Sequence, residues 1–251
     1  MLYTPPIEHH YSPMTPIEGS HLRNKNTLVK LIGSTRLTFD KRYLKAGLKG
    51  AFSHFWVRES IAIALKDILD ELPNNRGLVI FDTLRNSATS MAIFEKIKTE
   101  IALKAPELSK TQLEAETRKF CAHPTDKSHY TVPPHKSGGA IDLALFDTLT
   151  GELLDYGCDF DDITPVAETS YFEEVDIHNN VSHLTLNYNE KRCKLIKDNR
   201  RYLFNMMKAH GFVNYSGEWW HYSIGDCIWA EYKNQGQYIY EDVADSLTDT
   251  P

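Results

Sequence analysis

The chain has 251 residues, 41% hydrophobic and 25% charged, proportions that fit a soluble globular protein of one domain and exclude a disordered chain. A net charge of -6 without any Lys/Arg block excludes the basic surface that nucleic acid or an anionic membrane would require. No stretch approaches the ~20 apolar residues of a membrane span. The first twenty residues lack the basic start and apolar run of a secretory signal, so a cytoplasmic protein is expected. Cys121, Cys158, Cys193 and Cys227 are scattered and form no CxxC pair, as expected of thiols in a reducing compartment.

Residues 1–25 are rich in Pro, His and polar side chains and read as an irregular arm lying on a single domain of residues 26–251. Ile61, Leu65, Ile68 and Leu72 recur at helical spacing and predict a helix over 53–72, ended by Pro73. Leu78–Phe81 reads as a buried strand. Ser87 is placed to cap a helix running to Lys104, and a further helix follows Ser109 with Leu113 and Phe120 inward. Prolines and glycines make 121–139 a loop. A strand over Ala140–Phe146 and a turn at Thr150-Gly151 lead to a second strand at 152–156. Residues 157–188 lack a period and read as a long functional loop. A helix over 189–209 presents Ile196, Leu203 and Met207 on one face and stops at Gly211. Phe212–Tyr215, Trp219–Ile224 and Cys227–Tyr232 read as strands, and the last ten residues as a frayed acidic end. This order predicts an α+β fold, a central, largely antiparallel sheet flanked by helices.

Three segments carry chemistry. In Pro133-Pro134-His135-Lys136-Ser137-Gly138-Gly139-Ala140-Ile141-Asp142, a His sits in a Gly-rich loop and an Asp follows seven positions on, in a strand. Imidazole nitrogen and carboxylate oxygen both suit zinc. Asp142, flanked by Ile141 and Leu143, needs a partner, because an unpaired buried charge costs several kcal/mol. In Glu218-Trp219-Trp220-His221, strand geometry would send Glu218 and His221 to opposite faces, so a bulge or the Gly217 turn must re-aim Glu218 if both serve one site. His221 is then a third ligand, Glu218 a base beside an open position, and the tryptophans walls that limit water. At the end of the Phe81-Asp82-Thr83-Leu84-Arg85 strand, Arg85 could hydrogen-bond an oxyanion. Each segment alone has a plainer reading: His135 as a loop histidine, Asp142 as a turn cap, 218–221 as a core strand, Arg85 as a surface ion-pair residue. His9-His10 sits in the irregular arm, where a metal pair is the weaker reading.

Together the segments resemble the zinc D-alanyl-D-alanine dipeptidase family. Its pattern Ser-x-His-x-x-Gly-x-Ala-x-Asp is similar to Pro133-x-His135-x-x-Gly138-x-Ala140-x-Asp142, and its Glu-x-Trp-His to Glu218-Trp219-Trp220-His221. Its Trp-Asp-Gly-Tyr-Arg-Pro strand end is similar to Phe81–Asn86, and further likeness covers about residues 55–225. The resemblance implies the fold of zinc D-Ala-D-Ala peptidases and one zinc ion per chain, held by His135, Asp142 and His221. It also implies Glu218 as general base, Arg85 on the scissile carbonyl, Asp161 on the substrate's amino group, and a small dipeptide as substrate. Pro133 stands where the family has Ser, Asn86 where it has Pro, and the loop 164–187 is longer than usual. Two other readings remain: a carboxypeptidase or endopeptidase of the same superfamily acting on peptidoglycan peptides, and a zinc-binding module without catalysis. A non-haem iron triad usually sets His and carboxylate two apart, unlike the spacing here.

Overall fold

The computed structural model describes residues 5–9, 27–121, 123–125, 132–174, 188–235 and 237–249. Strands β1 (Leu28–Lys30) and β3 (Trp56–Arg58) form a small antiparallel pair. The main sheet has five strands, β2 (Leu37–Phe39), β4 (Arg76–Asp82), β5 (Ala140–Asp147), β6 (Val213–Asn214) and β7 (His221–Ser223), in the order β2-β4-β5-β7-β6. β2 runs parallel to β4, and every other neighbouring pair is antiparallel. The helices are α1 (Arg42–Lys45), α2 (Glu59–Glu71), α3 (Ser87–Lys104), α4 (Lys110–Thr117), α5 (Pro134–Ser137), α6 (Tyr171–Glu174), α7 (Glu190–Ala209) and α8 (Cys227–Tyr232). This is the α+β arrangement that the element order implies.

β4 and β5 lie in the middle of the sheet and are buried on both faces, so both read as nearly continuous apolar runs. α2 buries Ile61, Leu65 and Ile68, and α7 buries Ile196, Leu203 and Met207, each side chain contributing about 1.5–3 kcal/mol on leaving water. The five N-terminal residues in view lie along α7: Asn205 Nδ2 donates to Pro5 O at 3.0 Å, and His9 meets the Phe204 ring edge-on. His10 and the rest of the arm lie outside the described residues.

Several elements differ from the sequence reading, each for a local reason. The helix expected over 53–72 begins only at Glu59, because Trp56 and Val57, both good strand formers, pair with β1 instead. Asn86, not Ser87, caps α3, its side chain accepting the Thr89 N–H at 2.9 Å. Phe120 lies past the end of α4 and is exposed. Beyond the Gly151 turn, only Leu153 bridges back to Phe146, so no second strand forms at 152–156. Residues 227–232 are helical: Asp226 accepts the Trp229 N–H at 2.9 Å and starts α8, and a short apolar run suits a buried helix as well as a strand. The described part of the 157–188 loop contains a 3₁₀ turn at Pro165–Ala167 and α6, while 175–187 lie outside the described residues. Within the C-terminal segment, residues 242–249 are not frayed. They form a 3₁₀ turn at Ala244–Ser246, and Asp245 and Asp249 bond back to the body of the protein. Asn86→Ala should therefore lower stability by about 1 kcal/mol in urea denaturation, whereas Ser87→Ala should loosen only the hydroxyl's contacts with Asp245 and Lys136.

Candidate metal centre

The sheet register assembles the site. Asp82 of β4 pairs with Asp142 of β5, which pairs on its other side with His221 of β7. Directly paired residues emerge on the same face, so three polar side chains form one row across an otherwise apolar sheet. A register shift between Ile80 and Asp82 makes this possible. Without it the regular pairing would set Phe81 opposite Asp142. Such bulges recur beside functional sites, where they re-aim a side chain.

His135 enters from the single turn α5. Pro134 occupies the first turn, where its missing N–H costs nothing, and Gly138 ends the turn with φ 73°. Gly139 then passes so close to the Ile224 carbonyl that a Cβ would sit 2.7 Å from it. The pair of glycines therefore lets α5 fold tightly onto the start of β5. His135 Nδ1 donates to the Thr83 carbonyl at 2.6 Å. A carbonyl can only accept, so Nδ1 carries the proton and Nε2 faces Asp142 and His221.

Three ligand atoms converge. His135 Nε2 lies 3.3 Å from Asp142 Oδ2 and 3.2 Å from His221 Nδ1, and His221 Nδ1 lies 3.0 Å from Asp142 Oδ1. Ligands held tetrahedrally at about 2.0–2.1 Å from zinc stand about 3.3 Å from one another, and these separations, with both Asp142 oxygens facing the imidazoles, are of that size. Asp142 Oδ1 is buried and, among the described residues, has no hydrogen-bond donor. His221 Nε2 bonds Ser223 Oγ at 3.3 Å, which turns Nδ1 toward the cluster. All three residues are buried. Burial acts to raise the Asp142 carboxyl, but the two imidazoles outweigh it and hold it far below the usual carboxylate range. Burial acts to lower the His135 imidazole, but the carboxylates, Asp142 foremost, push it up to about 9. The pocket thus demands positive charge, which a divalent cation supplies as readily as a proton. The donor set and its spacing fit a metal ion.

Glu218 is not in a strand. It lies in the turn before β7, where Glu218 N donates to Tyr215 O at 3.1 Å and His221 N to Glu218 O at 3.3 Å. The turn re-aims the carboxylate to 3.8 Å from His221 Nδ1, with 27% of the side chain exposed. Burial raises its pKa. Trp219 and Trp220 instead point into the core, Trp219 stacking on Tyr156 at 4.1 Å and Trp220 meeting Phe160 edge-on. Arg85 Nη1 bonds Asp82 Oδ2 at 3.0 Å, while its buried Nε has no acceptor. Asp161, at φ 65°, accepts the Tyr43 hydroxyl at 3.1 Å. Burial and the Asp142 charge push its carboxyl up to about 7.

Sequence reasoning missed five supports. The Thr83 carbonyl and the Tyr43 hydroxyl leave no local signal. Ser223 could have been found, because residues two apart in a strand share a face. Asn214 donates to the Glu218 and His221 carbonyls, at 3.0 and 2.9 Å, and so clamps the turn that carries both. Arg200, fully buried, donates to the Tyr156, Val166 and Glu168 carbonyls and braces the segment bearing Asp161.

The family model described as D-ala-D-ala dipeptidase matches residues 57–240. The chain belongs to this family. D-ala-D-ala dipeptidase relatives include the D-alanyl-D-alanine dipeptidase of Synechocystis sp., 30% identical over 114 residues, 45% of this chain and 43% of that protein. The enzyme of that name from Enterococcus faecium is 35% identical over 92 residues, 37% of each chain. That from Streptomyces coelicolor is 32% identical over 90 residues, 36% of each. The matched stretch spans less than half the length of these relatives. The candidate ligands His135, Asp142 and His221, with Glu218, Arg85 and Asp161, all fall inside the stretch matched by the family model. Among the described residues, no helix is long and apolar enough to cross a membrane.

Asn214→Ala should take one of two donors from each of the Glu218 and His221 carbonyls, remove an acceptor of the Thr169 hydroxyl, and cost about 2 kcal/mol, read as a lower urea midpoint.

Proposed function

We propose that this protein is a zinc-dependent dipeptidase that hydrolyses D-alanyl-D-alanine, or a closely related small dipeptide, to free amino acids. The observation that carries the reading is the buried triangle of His135, Asp142 and His221 with the Glu218 carboxylate at its edge. The names of the relatives support the substrate class. All four cysteines are reduced thiols, which suits action in the cytoplasm.

His135, Asp142 and His221 would hold the zinc, one ion per chain. When bound, zinc polarises a carbonyl and lowers the pKa of water to about 7. Glu218 then takes a proton from the attacking water and delivers it to the leaving amine. Its burial, which raises the pKa, makes it a better base than an exposed carboxylate. Arg85 donates to the carbonyl oxygen as negative charge develops there, through a guanidinium that Asp82 holds in place and whose Nε is unspent. Asp161 pairs with the substrate's ammonium group, and so restricts the enzyme to substrates with a free amino end at that distance.

Glu218→Ala should bind zinc as the wild type does and lose at least ~10²-fold in kcat on D-Ala-D-Ala. A variant as fast as wild type would remove Glu218 from the mechanism. Digesting a longer muropeptide beside the dipeptide separates this reading from a wall carboxypeptidase or endopeptidase. A zinc-loaded wild type inert on both would point to a module without catalysis.

Asp161 gives the pH dependence. Its carboxyl is raised to about 7, so it is ionised above that pH and neutral below it. The ammonium contact needs the ionised form. A cation on Asp142 offsets part of this rise, so the kcat/KM of the wild type should fall about tenfold per pH unit below a point between the ordinary carboxylate range and about 7, and Asp161→Asn should have a raised KM without that limb. A limb that survives in Asp161→Asn assigns it to another group.

A further inference from the structure

The family match ends at residue 240, yet the segment after it is bound to the ligand loop from several sides. Lys136, the neighbour of His135, is buried, and its ammonium bonds Asp242 at 2.7 Å and Asp245 at 2.8 Å. Its carbonyl accepts the Val243 N–H at 3.1 Å. The fully buried Arg58 joins the same two segments, donating to Ser137 O at 2.7 Å and to Glu241 O at 2.8 Å. Tyr240 lies across two glycines, so close that a Cβ on Gly139 would sit 3.0 Å from its ring and one on Gly225 2.5 Å. Gly139 precedes β5, which carries Asp142, and Gly225 follows β7, which carries His221. One ring therefore rests on both ligand-bearing strands, while the polypeptide around it grips the turn that carries the third ligand.

We propose that the C-terminal segment 239–249 is a strap that positions the metal ligands, so that strap docking and metal binding are reciprocally coupled. The proposal rests on the metal-site reading above. A loose strap leaves the Lys136 ammonium without its carboxylates and α5 free to rotate His135 away from Asp142 and His221. A bound ion, by fixing His135, holds Lys136 where Asp242 and Asp245 can reach it. Linkage requires the two effects to be equal in free energy.

The test uses the full chain with zinc as the probe, in wild type and in two variants, Asp242→Asn/Asp245→Asn and Lys136→Met. Zinc affinity is measured by competition with a chromogenic chelator, and amide hydrogen exchange is followed over 239–249 with and without zinc. The two aspartates keep exposed side chains, so the double variant should fold, with circular dichroism as the check. Zinc should slow exchange of the wild-type strap. The variants should exchange faster there and bind zinc about tenfold more weakly, the low end of what loss of a ligand's outer support costs. The coupling is overturned if zinc leaves wild-type strap exchange unchanged, or if the variants free the strap yet bind zinc within twofold of wild type. A wild type that binds no zinc would sink both this inference and the metal-site reading. One that binds zinc with an indifferent strap sinks only the inference.

Discussion

Everything at this site follows from setting two carboxylates side by side in the centre of an apolar sheet. Asp82 and Asp142 are paired across β4 and β5 and both are buried. Two like charges about 5 Å apart repel by about 3 kcal/mol even at an effective dielectric constant of 20. The structure answers with nitrogen-bearing side chains in sequence. Arg85 neutralises Asp82 at 3.0 Å. His135 reaches both acids, at 3.5 and 3.3 Å, and His221 reaches Asp142 at 3.0 Å. Once Asp82 is matched by Arg85, Asp142 faces two imidazoles that are neutral in their ordinary state. The remaining charge is made good by a proton or by a metal, and only the metal uses both imidazole lone pairs.

The fold was legible where one physical signal dominated. The stripes of α2 and α7 and the apolar runs of β4 and β5 were readable because burial sets their period or its absence. The reading failed where long-range pairing decides: Trp56–Arg58 became a strand because β1 was there to receive it, and 227–232 became a helix because Asp226 capped it. The candidate site was legible as three segments with donor chemistry, but not as a geometry. The sequence shows that Glu218 and His221 need a re-aiming device. It does not show that Asn214, from the neighbouring strand, clamps it. Tyr43 and Thr83 are invisible for the same reason, since one acts across more than a hundred positions and the other through its backbone.

Charge also sorts the roles around the triangle. Arg85, Asp161 and Glu218 are each enclosed, yet burial and neighbours move them in different directions. Arg85 is held more firmly protonated by Asp82, while the carboxyls of Asp161 and Glu218 are raised. A permanent cation beside two carboxyls of raised pKa is a division of labour that suits the proposed reaction, in which an amide oxygen gains charge, Glu218 takes a proton and ionised Asp161 pairs with an ammonium.

The spacing of the ligands in the chain explains how such a site keeps its shape while its surroundings vary. β5 and β7 are adjacent in the sheet, but the chain between them makes a long excursion through the Asp161 segment, α6 and α7 before it returns. The entropy of closing a loop grows only slowly with its length, by about 0.6 kcal/mol per doubling. Lengthening the excursion therefore costs the sheet little, provided the two strands still pair. Arg200 and Asn214 also meet the Cys158 and Thr169 side chains, but they fix the excursion where it passes the site chiefly through bonds to backbone carbonyls. Those bonds do not depend on which residues the loop carries. Strand register sets Asp142 and His221, while the excursion carries Asp161 and Glu218, so side chains elsewhere on the excursion can change without disturbing that pair.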